Sequence, residues 1–415
     1  MLEVLFVAGK NRIRLRLLAF ADARKYITRL PNPRESCLML RYLISGLLIS
    51  ILALLVSCGG GGGGNGVGEG SGSVQPSPGN STGSGVANPS AGCSANTGLL
   101  TDSGTYTFQF NNIERTYRVY VPETYAMTLA SPLVMLFHGW GGGQNDFIGD
   151  ATVTSEADQQ DFILVAPAGL GSGEPDNSLN SWTFSGSATG LDGDGGDGIE
   201  GAICDVNNTP DYTYDSCDGI AENSCSWTQC QQDDVAFTAA LLEHVGNRMC
   251  VDTDNVFASG GSNGGMFTWE LGQNPLTATL FRAIAPIIGL PHRGYLDGKG
   301  KNEDMPVLLI TGLNDPTVPP GDWGDESFTT TSDGELFYYT SATGITKSWA
   351  ESHGCEVTNS AVVFDAGTSE AECRTYCSSD SGWPRVLDCR SDMGHTYEFS
   401  WTWPLILEFF SAHSL

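Results

Sequence analysis

Residues 256–266 have the sequence Val-Phe-Ala-Ser-Gly-Gly-Ser-Asn-Gly-Gly-Met, which contains a Gly-x-Ser-x-Gly pentapeptide centred on Ser262. The apolar residues 256–258 are typical of a short buried strand, and the spacing of apolar residues over 266–271 predicts a helix. Glycines beside Ser262 allow a sharp turn from strand to helix, which exposes the hydroxyl near a helix N-terminus. The pattern predicts a nucleophilic serine, with a simple glycine-rich turn as the alternative.

A nucleophilic serine also needs backbone donors for the oxyanion that forms during acyl transfer. The apolar strand predicted at residues 133–137 is followed by the loop HGWGGG at residues 138–143. A glycine-rich loop after a strand can present its N–H groups to a developing negative charge. We predict the N–H groups of Trp140 and Asn263 as the oxyanion donors, with Gly141 as the alternative to Trp140.

The base and its orienting carboxylate are predicted after the serine in the chain, in the order Asp, then His. The apolar strand at residues 306–311 is followed by Asp315, whose carboxylate is well placed to orient a histidine. An aspartate before a proline is also a common turn former. Of the six histidines, His395 lies on a loop after a glycine and ahead of a last apolar segment. We predict Ser262, Asp315 and His395 as catalytic residues, and a structural role for His138.

Apolar segments alternate with helical patterns along the chain, which indicates an α/β protein. Helices are predicted from Asp233 and at residues 404–410, and an antiparallel hairpin at residues 105–121. Parallel strands are predicted at residues 133–137, 162–166, 255–259, part of 281–288, and 306–311. Helical segments between strands predict a mostly parallel central sheet with helices on both faces.

The motifs HGWGGG, SGGSNGGM, GLNDPTVP and MGHTY together resemble those of the esterase group that includes feruloyl esterases and poly(3-hydroxybutyrate) depolymerases. The resemblance covers roughly residues 100–415 and implies an α/β-hydrolase fold. It implies a triad of Ser262, Asp315 and His395, and substrates that are esters of hydroxy acids, aromatic acids or acetate. The region around residues 185–230 is longer and richer in cysteine than in the simplest members, which predicts a reshaped substrate pocket.

The N-terminal segment predicts export as a bacterial lipoprotein. A basic segment begins at Met39, the predicted true start, and the following apolar run ends in Leu-Val-Ser-Cys at Cys58, similar to a lipobox. Lipid modification of Cys58 would anchor the chain to a membrane; a single membrane-spanning helix is the alternative, although the run is short for one. We predict a signal region at residues 1–57, a flexible Gly/Ser-rich tether at 58–92 and a catalytic domain at 93–415. The predicted location is the cell surface or outer membrane, with or without release from it.

Ten cysteines follow Cys58, an even number that predicts about five disulfides and disulfide-rich loops in an exported domain, with the connectivity open. They are Cys93, Cys204, Cys217, Cys225, Cys230, Cys250, Cys355, Cys373, Cys377 and Cys389. Zinc binding is disfavoured because the central cysteines lack paired Cys-x-x-Cys spacing. Cys389 lies six residues before His395, so we predict that its disulfide restrains the histidine loop.

Charge excludes one class of partner. The chain has 48 acidic and 20 basic residues and a net charge of −28, a surface that repels nucleic acid and anionic membranes. Asp192, Asp194 and Asp197 lie in a glycine-rich stretch that resembles a calcium loop, but Ile203 stands where an EF-hand has glutamate. A solvated loop is therefore favoured, and we predict no metal, cofactor or nucleic-acid partner.

These features predict an exported serine ester hydrolase that works through an acyl-enzyme on a monomeric or polymeric ester. Polyesters and feruloyl or acetyl esters of plant or algal polysaccharides remain open as substrates. A serine peptidase on the same fold and a catalytically silent surface-binding lipoprotein are the alternatives. Trp140, Trp182 and Trp323 fall on or near loops predicted to border the site, where they are candidates for stacking on a substrate; core packing is an equal alternative for Trp182.

Overall fold

The structure is a computed structural model, and the residues it describes fall into several ranges. These are residues 2–8, 11–17, 87–171, 179–185, 187, 203–205, 207–208, 214–217, 225–293, 305–377 and 382–415. Met39, Cys58, most of the predicted tether, and the stretch with Asp192 and Asp197 lie outside them, so the signal, anchor and calcium questions stay at the level of prediction. The chain divides into two units, Met1–Ser77 and Pro78–Leu415.

The first unit contains a β-hairpin that was not among the predicted elements. Its strands are Leu2–Ala8 (β1) and Asn11–Leu17 (β2), which pair antiparallel with Leu2 opposite Leu17. In the part of the chain that the structure describes, no helix is both long and apolar enough to cross a bilayer.

The second unit is built on a sheet of ten strands with five helices around it, counted over the described residues. The strands of this unit are Gly104–Phe110 (β3), Ile113–Tyr120 (β4), Ser131–Phe137 (β5), Ile163–Pro167 (β6), Val251–Gly261 (β7), Ala283–Ile287 (β8), Val307–Gly312 (β9), Thr329–Thr330 (β10), Tyr338–Tyr339 (β11), Val362–Phe364 (β12), Ala371–Thr375 (β13) and Val386–Ser391 (β14), of which β10 and β11 form a separate small hairpin. The helices are Ala151–Gln160 (α1), Asp234–Gly246 (α2), Asn263–Gln273 (α3), Ala342–Ser352 (α4) and Phe399–Ala412 (α5).

The central sheet has the strand order β12-β13-β14-β9-β8-β7-β5-β6-β4-β3. The six strands from β14 to β6 are parallel to one another, while β3, β4, β12 and β13 are antiparallel additions at the two edges. The predicted mostly parallel sheet is confirmed. Because parallel strands end at one edge, the segments after β5, β7, β9 and β14 lie at the same edge.

Two apolar layers cover the faces of the sheet, as the predicted two-sided helix packing requires. Along β5, Leu133 and Met135 pack into the layer that holds Trp269 of α3, whereas Val134 packs into the layer of Trp403 of α5. Because successive side chains of a strand point to opposite faces of the sheet, β5 contributes residues alternately to the two apolar layers. Burial on both faces explains the apolar runs of central strands such as β5, β6 and β9.

Residues 88–90 are already part of the second unit. The Ser90 N–H donates to Val251 O at 2.8 Å, and the Thr253 N–H donates to Asn88 O at 2.9 Å. The attachment to β7 therefore starts a few residues before Cys93, which was the predicted first residue of the catalytic domain.

All ten cysteines that follow Cys58 in the chain are paired, which confirms the expectation of five disulfides. The pairs are Cys93–Cys250, Cys204–Cys225, Cys217–Cys230, Cys355–Cys377 and Cys373–Cys389. Cys373 and Cys389 face each other across β13 and β14, so this bond joins two strands of the sheet. Its restraint on the His395 loop is therefore indirect, through the strand that leads into the loop.

Replacing both Cys373 and Cys389 by alanine should lower the free energy of unfolding by about 3 kcal/mol, because the bond closes a loop of 16 residues. Urea unfolding measures this loss. The pair Cys355 and Cys377, which closes a loop of 22 residues, is the matched control and should lose a comparable amount. An unchanged free energy of unfolding in the first variant would contradict the assigned role.

Candidate active site

Ser262 occupies a strained turn between β7 and α3. Its φ is 54° and its ψ is −119°, a backbone conformation that costs a non-glycine residue on the order of 1–3 kcal/mol. The Ser262 N–H donates to Ile287 O at 2.9 Å, and Ser262 O accepts from the Met266 N–H at 2.9 Å, which fixes the turn on both sides. The hydroxyl makes no capping bond to α3, so it remains available to a neighbouring side chain.

The glycines around Ser262 are required by close backbone approach. A Cβ on Gly264 would fall 2.0 Å from Phe137 O, and one on Gly260 would fall 2.4 Å from Gly264 O. These positions let β5, β7 and α3 converge at the serine. The strand–Ser–helix turn predicted from the Gly-x-Ser-x-Gly pattern is present.

The structure brings the three predicted catalytic side chains together. His395 Nε2 lies 2.9 Å from Ser262 Oγ, and His395 Nδ1 lies 2.7 Å from Asp315 Oδ2. The Asp315 side chain is fully buried, whereas that of His395 is 25% exposed. The three residues follow β7, β9 and β14, whose carboxyl ends share one edge of the sheet.

The Asp315 carboxylate is fixed by its own loop. Its Oδ1 accepts the backbone N–H groups of Thr317 and Val318, each at 2.9 Å. Oδ2 is therefore the oxygen that faces His395. A carboxylate at Nδ1 favours the tautomer whose Nδ1–H donates to Asp315 and whose Nε2 accepts the serine proton. Such an arrangement can activate a serine for attack on a carbonyl.

Asp315→Asn should lower kcat by about 10⁴-fold with little change in fold, because the amide can still accept from Thr317 but presents N–H groups to His395. His395 would then carry its proton on Nε2, the nitrogen that faces Ser262, and in this tautomer Nε2 could not accept the serine proton. Steady-state kinetics on p-nitrophenyl butyrate measures the loss. Asp365→Asn is the control, since Asp365 also accepts a backbone N–H, from Gly367, on an exposed loop. Equal kcat in the two variants would contradict the role of Asp315.

The loop at residues 138–143 lies beside the serine, as predicted. The Gly139 N–H donates to Tyr397 Oη at 3.0 Å, and the Gly141 N–H donates to Asn180 O at 2.8 Å. Gly141, the alternative oxyanion donor, is therefore engaged elsewhere. Trp140 borders the same cleft as Ser262. Its assignment as an oxyanion donor stays a prediction.

Asn263 is the first residue of α3, so its N–H has no acceptor within the helix. Its side chain has a role that the sequence did not indicate. Oδ1 accepts the Trp182 N–H at 2.8 Å, and Nδ2 donates to Trp182 O at 3.2 Å. Trp182 itself is fully buried, and its Nε1 donates to His138 O at 2.9 Å. Of the two predicted roles for Trp182, core packing is the one present.

His138 has the structural role predicted for it. Its Nε2 accepts the Gly169 N–H at 2.8 Å, and its Nδ1 lies 2.7 Å from Gly139 O. Burial is the main reason that the pKa of His138 is lowered to about 4. The imidazole is therefore neutral at neutral pH and connects the loop at residues 138–143 to the segment just after β6.

The cleft at Ser262 has two lobes, both bordered by Trp140, Ser262 and His395. The first, of about 260 Å³, also contains Trp227, Met266, Thr317, Val318, Asp333, Glu335, Phe337 and Tyr339. The second, of about 280 Å³, contains Gly139, Ile288, Thr396 and Tyr397. The first lobe is mostly apolar and aromatic, with two carboxylates from the hairpin region.

From the cysteine-rich region around residues 185–230, Trp227 borders the first lobe, and the predicted reshaping of the pocket stays a prediction. Trp140 Nε1 donates to Tyr214 Oη and to Trp227 O, each at 2.9 Å. Trp227 Nε1 in turn donates to the buried His292 at 3.1 Å. Trp323 borders neither lobe: its ring lies 3.8 Å from the guanidinium carbon of Arg390, so the predicted position at the site is wrong.

Metal binding has no support in the described part of the chain, where no group of three or more His, Cys, Asp or Glu side chains could hold an ion.

The ten-stranded sheet, the strand–Ser–helix turn and the Ser–His–Asp hydrogen bonds together define the α/β-hydrolase fold class.

Sequence comparison finds similarity to esterases over part of the chain. A probable feruloyl esterase C of Aspergillus niger is 36% identical over 103 residues, which are 24% of this chain and 36% of that protein. The feruloyl esterase C of Emericella nidulans is 35% identical over 97 residues, 23% of this chain and 34% of that protein. The chain thus matches about a third of the length of these curated relatives. No family model matches.

Comparison of structures finds partial similarity to solved esterases. An acetyl xylan esterase from Aspergillus awamori has 16% identity and a TM-score of 0.41, covering 71% of this chain and 94% of that one. A ferulic acid esterase of Anaeromyces mucronatus has 14% identity and a TM-score of 0.34, covering 56% and 80% respectively.

Proposed function

We propose that the protein is an exported serine ester hydrolase whose catalytic residues are Ser262, His395 and Asp315. The observation that carries the proposal is the continuous hydrogen-bonded series from Ser262 Oγ through His395 to Asp315, at the floor of an open cleft. The local similarity to feruloyl esterases supports an ester as the substrate.

The mechanism follows from these contacts. His395 Nε2 takes the proton of Ser262 Oγ as the oxygen attacks the ester carbonyl carbon, and the imidazolium is stabilised by Asp315. The carbonyl oxygen becomes an oxyanion, for which we assign the N–H groups of Trp140 and Asn263. Each such donor contributes roughly 3 kcal/mol to lowering the barrier. His395 then gives its proton to the departing alcohol, which leaves an acyl-enzyme on Ser262. Water attacks the acyl carbonyl carbon as His395 takes its proton, and the acid is released when His395 returns a proton to Ser262 Oγ.

The lining of the cleft favours an aromatic acyl group over a polyester segment. The rings of Trp140, Trp227, Phe337 and Tyr339 border the first lobe of the cleft, beside Ser262. A feruloyl group presents one flat ring that such walls can hold by stacking and edge contacts. Feruloyl esters of polysaccharides are therefore the first proposed substrates, followed by acetyl esters and polyesters.

Export, with lipid attachment at Cys58, is part of the proposal. Its support is the lipobox-like sequence and the pairing of all ten later cysteines. Disulfides persist in oxidising compartments outside the cytosol.

A substrate panel on the purified full chain tests the function. Methyl ferulate, p-nitrophenyl acetate, poly(3-hydroxybutyrate) film and a peptide p-nitroanilide are compared, and a fluorophosphonate probe labels the nucleophile for peptide mapping. Ester turnover with the label on Ser262 is expected, with methyl ferulate the best substrate. Faster amide cleavage would favour the peptidase, and the absence of both turnover and label would favour the silent binding protein.

A further inference from the structure

Tyr397 contacts three parts of the site at once. It lies two residues after His395, and its Oη accepts the Gly139 N–H at 3.0 Å. A Cβ on Gly261, the residue before Ser262, would fall 2.0 Å from a carbon of the Tyr397 ring. The ring is also stacked on Phe147, with centroids 5.2 Å apart. One side chain thus connects the histidine loop that contains His395, the serine turn at Ser262, and the loop at residues 138–143, which we call the oxyanion loop.

Gly139 lies in a narrow space between the tyrosine and the serine. A Cβ on Gly139 would be 2.7 Å from Tyr397 Oη and 3.3 Å from Ser262 Cβ. The bond to Tyr397 therefore fixes the backbone directly before Trp140. On the other side of Trp140, the Gly141 N–H is held by Asn180 O at 2.8 Å. Both neighbours of the assigned oxyanion donor are thus anchored, and Tyr397 supplies the anchor nearer the serine.

The chemistry of the phenol suits a permanent anchor. Burial, with a smaller contribution from Asp146, raises the pKa of Tyr397 well above its usual value of 10. The hydroxyl therefore stays neutral at and around neutral pH. Its ring is held against Gly261 and Phe147, so the oxygen has little freedom to leave Gly139.

We propose that Tyr397 is a positioning residue, which holds the oxyanion loop in register with Ser262 through the Gly139 N–H. The proposal rests on the proposed ester hydrolysis at Ser262. Tyr397 acts on the barrier through Trp140, whose N–H must meet the oxyanion, and not through contact with the reacting atoms.

Tyr397→Phe tests the proposal because it keeps the ring and removes only the acceptor oxygen. We expect kcat for p-nitrophenyl butyrate to fall between about 10-fold and 100-fold, with KM changed less than about two-fold. The Ki of an aryl boronic acid, which forms a tetrahedral adduct with serine, should rise by the same factor. The pH profile of kcat/KM should keep its shape, since the hydroxyl does not titrate there.

Tyr120→Phe is the matched control, because Tyr120 Oη bonds to Asp158 Oδ2 at 2.7 Å and does not border the cleft. It should keep the kcat of the original protein. Equal kcat in the two variants, a loss confined to KM, or a displaced acid limb of the pH profile in Tyr397→Phe would each overturn the proposal.

Amide hydrogen exchange separates this proposal from the proposed function. Tyr397→Phe should increase the exchange rate of the Gly139 amide at least 10-fold, and Tyr120→Phe should leave it unchanged. If the original protein hydrolyses no ester, the proposed function fails, while this exchange result still reports whether Tyr397 holds the loop. Unchanged exchange at Gly139 would overturn the positioning role even in an active enzyme.

Discussion

Ser262→Ala is expected to lower kcat for p-nitrophenyl butyrate by about 10⁵-fold or more, to a residual rate that depends on binding and the oxyanion donors alone. The hydroxyl is the nucleophile, and its hydrogen bond to His395 at 2.9 Å is the contact that activates it. Because it caps no helix N–H, its removal should change the melting temperature by only a few degrees. Steady-state kinetics and thermal unfolding of the same sample measure the two quantities.

Ser259→Ala is the matched control for this prediction. Ser259 lies on β7, the strand that leads into the Ser262 turn, is fully buried, and donates to Ala285 O at 2.7 Å. Losing this bond should cost about 1 kcal/mol of stability and leave kcat nearly unchanged. Retention of more than a hundredth of the original kcat in Ser262→Ala would show that another group performs the attack.

Ser262 and Asp315 could be predicted from the sequence because each follows an apolar strand, and His395 because it lies on a loop after a glycine and ahead of the last apolar segment. Residues 256–258 of β7 and residues 307–310 of β9 are apolar runs, and parallel strands place their following loops at one edge. Glycine spacing then marked Ser262 as the residue on the sharp turn. Local pattern and chain order therefore carried most of the information about where Asp315 and His395 meet it.

Strand β14, which leads to His395, was not predicted because its residues do not look buried. Its sequence includes Asp388 and Arg390, yet all six residues of the strand are buried. Arg390 Nη2 and Asp388 Oδ2 form an ion pair at 2.7 Å, which compensates the two buried charges. The buried Cys389 forms a disulfide with Cys373. Burial raises the pKa of Asp388 above its usual value, and Arg390 opposes this. A polarity pattern cannot show such pairing in advance.

Helix α5 illustrates a different limit. The prediction placed the last helix at residues 404–410, where the segment is apolar. The structure begins it at Phe399, five residues earlier, with Pro404 inside the helix.

The contacts of Tyr397 with Gly139 and of Asn263 with Trp182 join residues 258 and 81 positions apart. Contacts at such separations depend on tertiary packing, so the roles of these two side chains emerged only from the structure.

Acid is expected to destabilise the protein through its buried histidines. Burial lowers the pKa of His138, His292 and His413 from the ordinary 6.5 to about 4 in each case. Between these values the unfolded chain binds more protons than the folded one, so stability is fully present above pH 6.5 and is lost as the pH falls toward 4. Each histidine accounts for roughly 3 kcal/mol over that window.

Protonation of carboxylates has the opposite effect on stability, so a variant is needed to isolate the contribution of a histidine. The chain has a net charge of −28 at pH 7, and protonation of carboxylates relieves this repulsion as the pH falls. The pH dependence of the original protein alone therefore mixes two contributions of opposite sign. His292 is suited to separating them: it accepts Trp227 Nε1–H and stacks on Tyr339, so its protonation breaks a buried contact beside the cleft.

His292→Gln keeps an acceptor for Trp227 but does not titrate, so it should remove one histidine's share of the acid effect. At pH 7 we expect the variant to be less stable than the original protein, because glutamine packs poorly among the rings around His292. At pH 5 the difference should narrow by about 2 kcal/mol, since only the original protein must keep a neutral imidazole there. Urea unfolding of both proteins, with disulfides intact, measures the difference, and between pH 7.5 and 8.5 it should be constant. A difference that is the same at pH 5 as at pH 7 would show that His292 is protonated without cost, so that the acid sensitivity must come from elsewhere.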